Sequence, residues 1–289
     1  MAFIAGCAGI ARGDVGGRLR VVGESSSKTE FRTRTDGYTP AVPGPVALVG
    51  AGEFLPVMAD LDRDLLEATG RSRPRVAIIP TAAWPDGSEV FERWAGMGVA
   101  HFRALGAEVE PVLLRGRAEA SDSAHVQAIG EADLVYLSGG KPRHLLDALD
   151  GTPAGEAVRH AHARGAVVAG CSAGAMVLAG RQADVWKRML PFPIRWRRAL
   201  GLVAGVAVLP HYDAWPEALA AAIALQGSGS GVVLGIDEGT AAVGRDGAYQ
   251  VHGRGRVTVW RGRHRERYRR GETFRVAGDL PPVCPVSGG

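Results

Sequence analysis

Short apolar, β-branched runs recur through the middle of the chain: VALVG (46–50), RVAIIP (75–80), AEVEPVLL (107–114), DLVYLSGG (133–140) and GAVVAGC (165–171). Segments that read as helices separate them: VMADLDRDLLEAT (57–69), EVFERWAGMGVAHFRALG (89–106), PRHLLDALDG (142–151) and AGEAVRHAHARG (154–165). The last two strands are nearly continuous apolar runs, as expected of a parallel sheet covered on both faces. Alternation of this kind predicts βαβ units. Beyond residue 200, VAGVAVLPHYD (203–213), VVLGIDEGTAAVGRDGAYQV (232–251) and RVTVWRG (256–262) read as further strands. The later ones are hairpin-linked, with RDG (245–247) as a turn. The fold class expected is therefore α/β: a doubly wound, mostly parallel sheet with helices on both faces, in a flavodoxin-like layout. Antiparallel hairpins follow near the C-terminus.

Outside that pattern the chain changes character. Residues 1–43, with GESSSKTEFRTRTDGYTPAVP (23–43) at their end, are polar and turn-rich. They hold too little apolar surface to offset the entropy of ordering. The last stretch, 281–289, reads the same way. One domain over 44–280 between two tails is the expected organisation.

Composition narrows the class further. The chain has 289 residues, 46% hydrophobic and 22% charged, which is ordinary for a soluble globular protein. No apolar run reaches the roughly 20 residues that span a bilayer, so no membrane role is expected. The net charge of +4 comes largely from RWRR (195–198) and RGRHRERYRRGE (261–272). Such runs are usually solvated faces, and with no nucleic-acid motif present, no nucleic-acid role is expected. Three cysteines in unrelated contexts form neither a disulfide framework nor a metal-ligand spacing, which fits a reducing, cytoplasmic setting. FIAGC (3–7) lacks the basic region and the apolar length of a lipoprotein signal.

In open α/β sheets, ligands sit beyond the carboxyl ends of the strands. The informative residues are then GAGEF (50–54), PTAAWPDG (80–87), SGGKP (138–142), CSAGA (171–175), PHYD (210–213) and DEGT (237–240). GAVVAGCSAGAM is a strand, a tight turn and a segment able to run on as a helix, the layout of a nucleophile elbow. Centred on Ser172, the flanking small residues are Gly170 and Gly174; centred on Cys171, they are Ala169 and Ala173. Two glycines suit a crowded, strained turn better. Ser172 is therefore the favoured nucleophile, with Cys171 as a buried residue closing the strand. GAGEF is too short a glycine pattern to indicate a nucleotide.

SGGKPRHLLDAL, GAVVAGCSAGAM, VLPHYD and LGIDEGTAAV, in this order and spacing, resemble the serine peptidase family that holds cyanophycinase and peptidase E. In particular they are similar to its type 1 glutamine amidotransferase-like members. The resemblance covers roughly residues 46–260. It implies the class I glutamine amidotransferase-like fold and a serine hydrolase that cleaves a small peptide or isopeptide through an acyl-enzyme on Ser172. No cofactor and no metal are implied, and a homodimer is admissible. By resemblance His211, in VLPHYD, is the general base, with His144 as a second candidate. Glu238, at a strand end in GIDEGT, is the first choice for the acid that orients it. Asp184, Asp213 and Asp237 stay open as alternatives. The backbone N–H of Ala173, next after the nucleophile, is one expected oxyanion donor. By resemblance Gly140, in the SGG turn, is the other.

Cyanophycinase carries an arginine-rich stretch soon after its histidine, suited to an aspartate–arginine polymer, whereas PHYDAWPEALAAAI has none. The arginine-rich segment 181–201 sits between elbow and base. Arg195, Arg197 and Arg198 there are candidates for a lid over a carboxylate-bearing substrate. Two other readings stay open: an inactive ligand-binding or regulatory domain of the same fold, and a glutamine amidotransferase built on Cys171.

Overall fold

The computed structural model describes residues 42–184, 193–228 and 231–276. Except for Val42 and Pro43, the expected tail at 1–43 lies outside them, as does the tail at 281–289.

The first half of the described chain is a run of βα units: β1 (Val46–Val49), α1 (Ala59–Glu67), β2 (Arg75–Ile79), α2 (Ser88–Ala104), β3 (Glu108–Pro111), α3 (Ser123–Glu131), β4 (Leu134–Leu137), α4 (Pro142–Leu149), α5 (Pro153–Ala163) and β5 (Val167–Cys171). Helix starts follow local chemistry. The Asp122 side chain accepts from the Ala124 N–H ahead of α3. The Thr152 hydroxyl caps α5, whose first residue, Pro153, has no N–H to satisfy. Every residue of β1, β4 and β5 is buried, because helices cover both faces of these strands.

After β5 come a short buried helix α6 (Ala173–Leu178), β6 (Ala179–Ala183), β7 (Trp196–Arg198), β8 (Val203–Leu209), α7 (Glu217–Ser228) and β9 (Val232–Ile236). Strands β10 (Thr240–Arg245), β11 (Ala248–Gly253), β12 (Arg256–Arg261), β13 (His264–Arg269) and β14 (Thr273–Arg275) complete it. The turn between β10 and β11 is Asp246–Gly247, both at positive φ (52° and 76°), as a tight hairpin requires.

These strands make two sheets. One has eight strands in the order β14-β11-β10-β1-β5-β4-β2-β3, and the other six, β13-β12-β9-β8-β6-β7. In the first, β1, β5, β4, β2 and β3 run parallel, and β10, β11 and β14 add antiparallel strands at one side. In the second, β6, β8 and β9 are parallel, with β7, β12 and β13 antiparallel. The parallel core matches the strand pattern. The division into two sheets, together with α3, β6 and α7, goes beyond what that pattern singled out. The reason lies at α6: the helix after Ser172 lasts only six residues and hands the chain to β6, which starts the second sheet. One apolar cluster joins the two, with Leu48, Leu137 and Val168 of the first packed with Ala175 and Val177 of α6 and with Val208 and Leu234 of the second.

Among the described residues, no helix is long and apolar enough to cross a membrane.

Candidate active site

Ser172 stands between β5 and α6 with φ 49° and ψ −104°, a conformation that a residue with a Cβ rarely holds unless its surroundings impose it. Its own N–H is bonded to the Val49 carbonyl of β1 at 2.9 Å. The flanking glycines make room for this. A Cβ on Gly170 would lie 2.5 Å from the Gly174 backbone, and one on Gly174 would overlap the Leu137 carbonyl of β4. Four non-glycine residues have positive φ in the described chain. Asp246 serves the hairpin turn; the other three, Phe54, Ser172 and His211, follow strand ends around this point.

His211 follows β8 in the left-handed region (φ 51°, ψ 38°) and opens a single 3-10 turn. Its Nε2 lies 3.0 Å from Ser172 Oγ, and its Nδ1 lies 2.7 Å from Glu238 Oε1. The neighbours of His211 hold it in place. The Tyr212 ring lies so close over Gly235 that no Cβ would fit beneath it. Trp260 Nε1 donates to the Tyr212 hydroxyl at 2.9 Å, and Trp215 Nε1 donates to the Pro210 carbonyl. Both His211 and Glu238 remain open to solvent, at 41% and 45% exposure.

The other acids serve elsewhere. Asp213 Oδ1 accepts the Glu238 backbone N–H at 2.9 Å. Asp237 Oδ2 accepts the Arg256 N–H, and Asp184 pairs with Arg197 at 3.6 Å. His144 bonds to the Arg115 carbonyl.

Across from Ser172 lies the SGG turn at the end of β4. Gly140 has φ 139°, and a Cβ there would overlap the Ala82 carbonyl, so only glycine fits. Among the described residues, neither the Gly140 N–H nor the Ala173 N–H has a hydrogen-bond partner. The Gly139 N–H is different: it donates to Glu53 Oε1 at 2.7 Å. The second oxygen of Glu53 accepts from the Cys171 thiol at 2.8 Å. Cys171 does close the strand and is fully buried, but it is paired with a buried carboxylate. Burial, followed by the Glu53 carboxylate beside it, pushes the Cys171 thiol well above its ordinary range. Sequence reasoning missed Glu53. The only available signal was its place in GAGEF, beyond the end of the first strand.

Arg197 and Arg198 lie on β7 and are exposed. They line a cavity of about 470 Å³ with Arg117, Leu146, Asp147 and Asp150, none of them part of the Ser172–His211–Glu238 chain. The backbone carbonyl of Arg195 accepts the Asp184 N–H. Residues 185–192 of the expected lid lie outside the described residues. Among the described residues, no three His, Cys, Asp or Glu side chains group as metal ligands.

Known proteins bear on this geometry. Two curated relatives, cyanophycinases of Synechococcus elongatus and Thermosynechococcus vestitus, are each 30% identical over 167 residues, 55% of this chain and 51% of theirs. The chain thus spans about half the length of the curated relatives it matches. The crystal structure of a peptidase from an acI-B1 actinobacterium superposes with a TM-score of 0.72 at 30% identity, covering 82% of this chain and 98% of that one. A putative peptidase E protein from Listeria monocytogenes shares the fold at a TM-score of 0.53 and 19% identity, over 73% of this chain and 99% of its own. Residues 46–251 match peptidase family S51, a span that takes in Ser172, His211 and Glu238. The chain belongs to peptidase family S51.

Proposed function

We propose that this protein is a serine hydrolase that cleaves a small peptide or isopeptide through an acyl-enzyme on Ser172. The observation that carries the reading is the hydrogen-bonded chain Ser172–His211–Glu238, built on a strained serine at a strand end. Family membership supports it. Ser172 sits on a nucleophile elbow, and Oγ attacks the scissile carbonyl while its proton passes to His211 Nε2. Glu238 accepts from His211 Nδ1–H, which fixes the tautomer and stabilises the imidazolium. The N–H groups of Ala173 and Gly140 receive the developing oxyanion. His211 then gives the proton to the leaving nitrogen, and the C–N bond breaks. Water attacks the resulting ester with His211 again as base, releasing the acid and restoring the Ser172 hydroxyl. The scarcity of cysteine suits a reducing, cytoplasmic setting.

An amidotransferase using Cys171 needs an exposed, easily ionised thiol. The burial of Cys171 and its contact with Glu53 argue against that role.

A fluorophosphonate probe tests the reading. Labelling is expected in the wild type and in Cys171→Ala, and absent in Ser172→Ala. Labelling that survives Ser172→Ala rejects the mechanism, and an unlabelled wild type favours an inactive binding domain. Ser172-dependent release from a library of dipeptides and isopeptides then identifies the substrate.

A further inference from the structure

The loop GAGEF (50–54) has no part in the mechanism above, yet it bonds to the residues next to Glu238, Ser172 and Gly140. The Ala51 carbonyl accepts the Gly239 N–H, next to Glu238, at 3.0 Å, and the Gly50 N–H donates to the Thr240 carbonyl. Phe54, at φ 63°, is buried against Phe102 and Tyr136 and anchors the loop from below. Glu53 itself is only 5% exposed. Its two oxygens take the Gly139 N–H and the Cys171 thiol.

The sheet order makes this contact informative. β1 and β4 are the two neighbours of β5, so their ends lie two strand spacings apart, about 9–10 Å. Glu53 starts beyond the end of β1, bonds to the last residue of β5, and reaches the turn that follows β4. It thus crosses directly beside Ser172. A Cβ on Gly139 would come within 2.7 Å of Glu53 Oε1 and 3.4 Å of Ser172 Cβ, so the three residues are packed without slack. Consecutive amides of the SGG turn have different fates: Gly139's is bound by Glu53, and Gly140's, on an exposed residue, has no partner among the described residues.

We propose that Glu53 is a positioning residue, whose carboxylate ties the SGG turn to the strand that carries Ser172 and so aims the Gly140 N–H at the oxyanion. The inference rests on the serine-hydrolase reading. Length is the property that matters: aspartate is one methylene short of the span. Glutamine keeps the span, with its oxygen on the Gly139 N–H and its amide nitrogen donating to the Cys171 sulfur. An oxyanion donor acts in the transition state, so its misplacement lowers kcat and leaves KM nearly unchanged.

The test compares wild type, Glu53→Asp, Glu53→Ala, Glu53→Gln and Ser172→Ala by the rate of fluorophosphonate labelling and, with a library substrate, by kcat and KM. Glu53→Asp and Glu53→Ala are expected to lose about ten- to hundredfold in labelling rate and kcat, with Glu53→Gln losing least. Aspartate and alanine variants that stay within about twofold of the wild type, while Ser172→Ala is dead, overturn the role of Glu53 alone. Labelling that survives Ser172→Ala overturns the reading beneath it. Should the short variants not fold, hydrogen exchange on the wild type decides. The Gly139 amide is expected to be protected, and the Gly140 amide to exchange freely until the serine is phosphonylated and then to slow. Equal exchange at the two amides, or no slowing at Gly140, refutes the proposal.

Discussion

At the end of β5, in the eight-stranded sheet, Ser172 is held by backbone. Its N–H is bonded to Val49, glycines on either side admit neighbouring carbonyls, and the strand beneath it is buried at every residue. At the end of β8, in the six-stranded sheet, His211 is held by side chains: Tyr212 against Gly235, Trp260 on Tyr212, Glu238 on its ring, and Asp213 on the Glu238 amide. The first support is rigid because interiors pack at crystal-like density and overlap cannot be relaxed. The second stands at a partly wet edge, where single hydrogen bonds set the angle of the imidazole. In the mechanism proposed above, a nucleophile on a strained turn needs the former, and a base that passes a proton between serine, leaving group and water works with the latter.

That contrast can be broken by substitution. The largest effect is expected at the wet side. His211→Ala should lower the labelling rate and kcat by about 10²–10⁴-fold, while the thermal midpoint moves little because the side chain is 41% exposed. A loss below tenfold rejects His211 as the base. Next comes the dry side, where the cost should appear in folding. A methyl at residue 174 meets the Leu137 backbone, so Gly174→Ala should cost about 3 kcal/mol in urea denaturation. A cost under about 1 kcal/mol would show that the turn is softer than its contacts imply. The smallest effect is at Asp213. Asp213→Ala frees the Glu238 N–H and should lower kcat only about tenfold, with stability changing by about 1 kcal/mol or less. Asp213→Asn, which keeps an acceptor, should behave like wild type. If Gly174→Ala instead leaves folding intact and Asp213→Ala unfolds the protein, the division of labour drawn above is wrong.

Legibility in the sequence follows the same line. The Ser172 turn shows in AGCSAGAM because backbone crowding demands small residues at fixed offsets, and offsets survive in a linear text. His211 shows because it directly follows an apolar strand. The partner of His211 shows only as a ranking: by resemblance Glu238 comes first, while Asp184, Asp213 and Asp237 stay open. Only their directions in space separate them, Asp213 and Asp237 accepting backbone N–H groups while Glu238 reaches the ring. Glu53 is harder still, since its partners lie 86 and 118 residues away.

By itself, then, the sequence determined the alternation of strands and helices, the strained turn at Ser172 and the strand ends where chemistry collects. These depend on local sterics and on periodic burial. The tertiary structure alone decided that β6–β9, β12 and β13 form a second sheet while β10, β11 and β14 return to the first, which of the open acids meets His211, and that Cys171 faces Glu53. Such pairings are set by which side chains meet when distant strands pack together, and hydrogen bonds between residues this far apart leave no period along the chain.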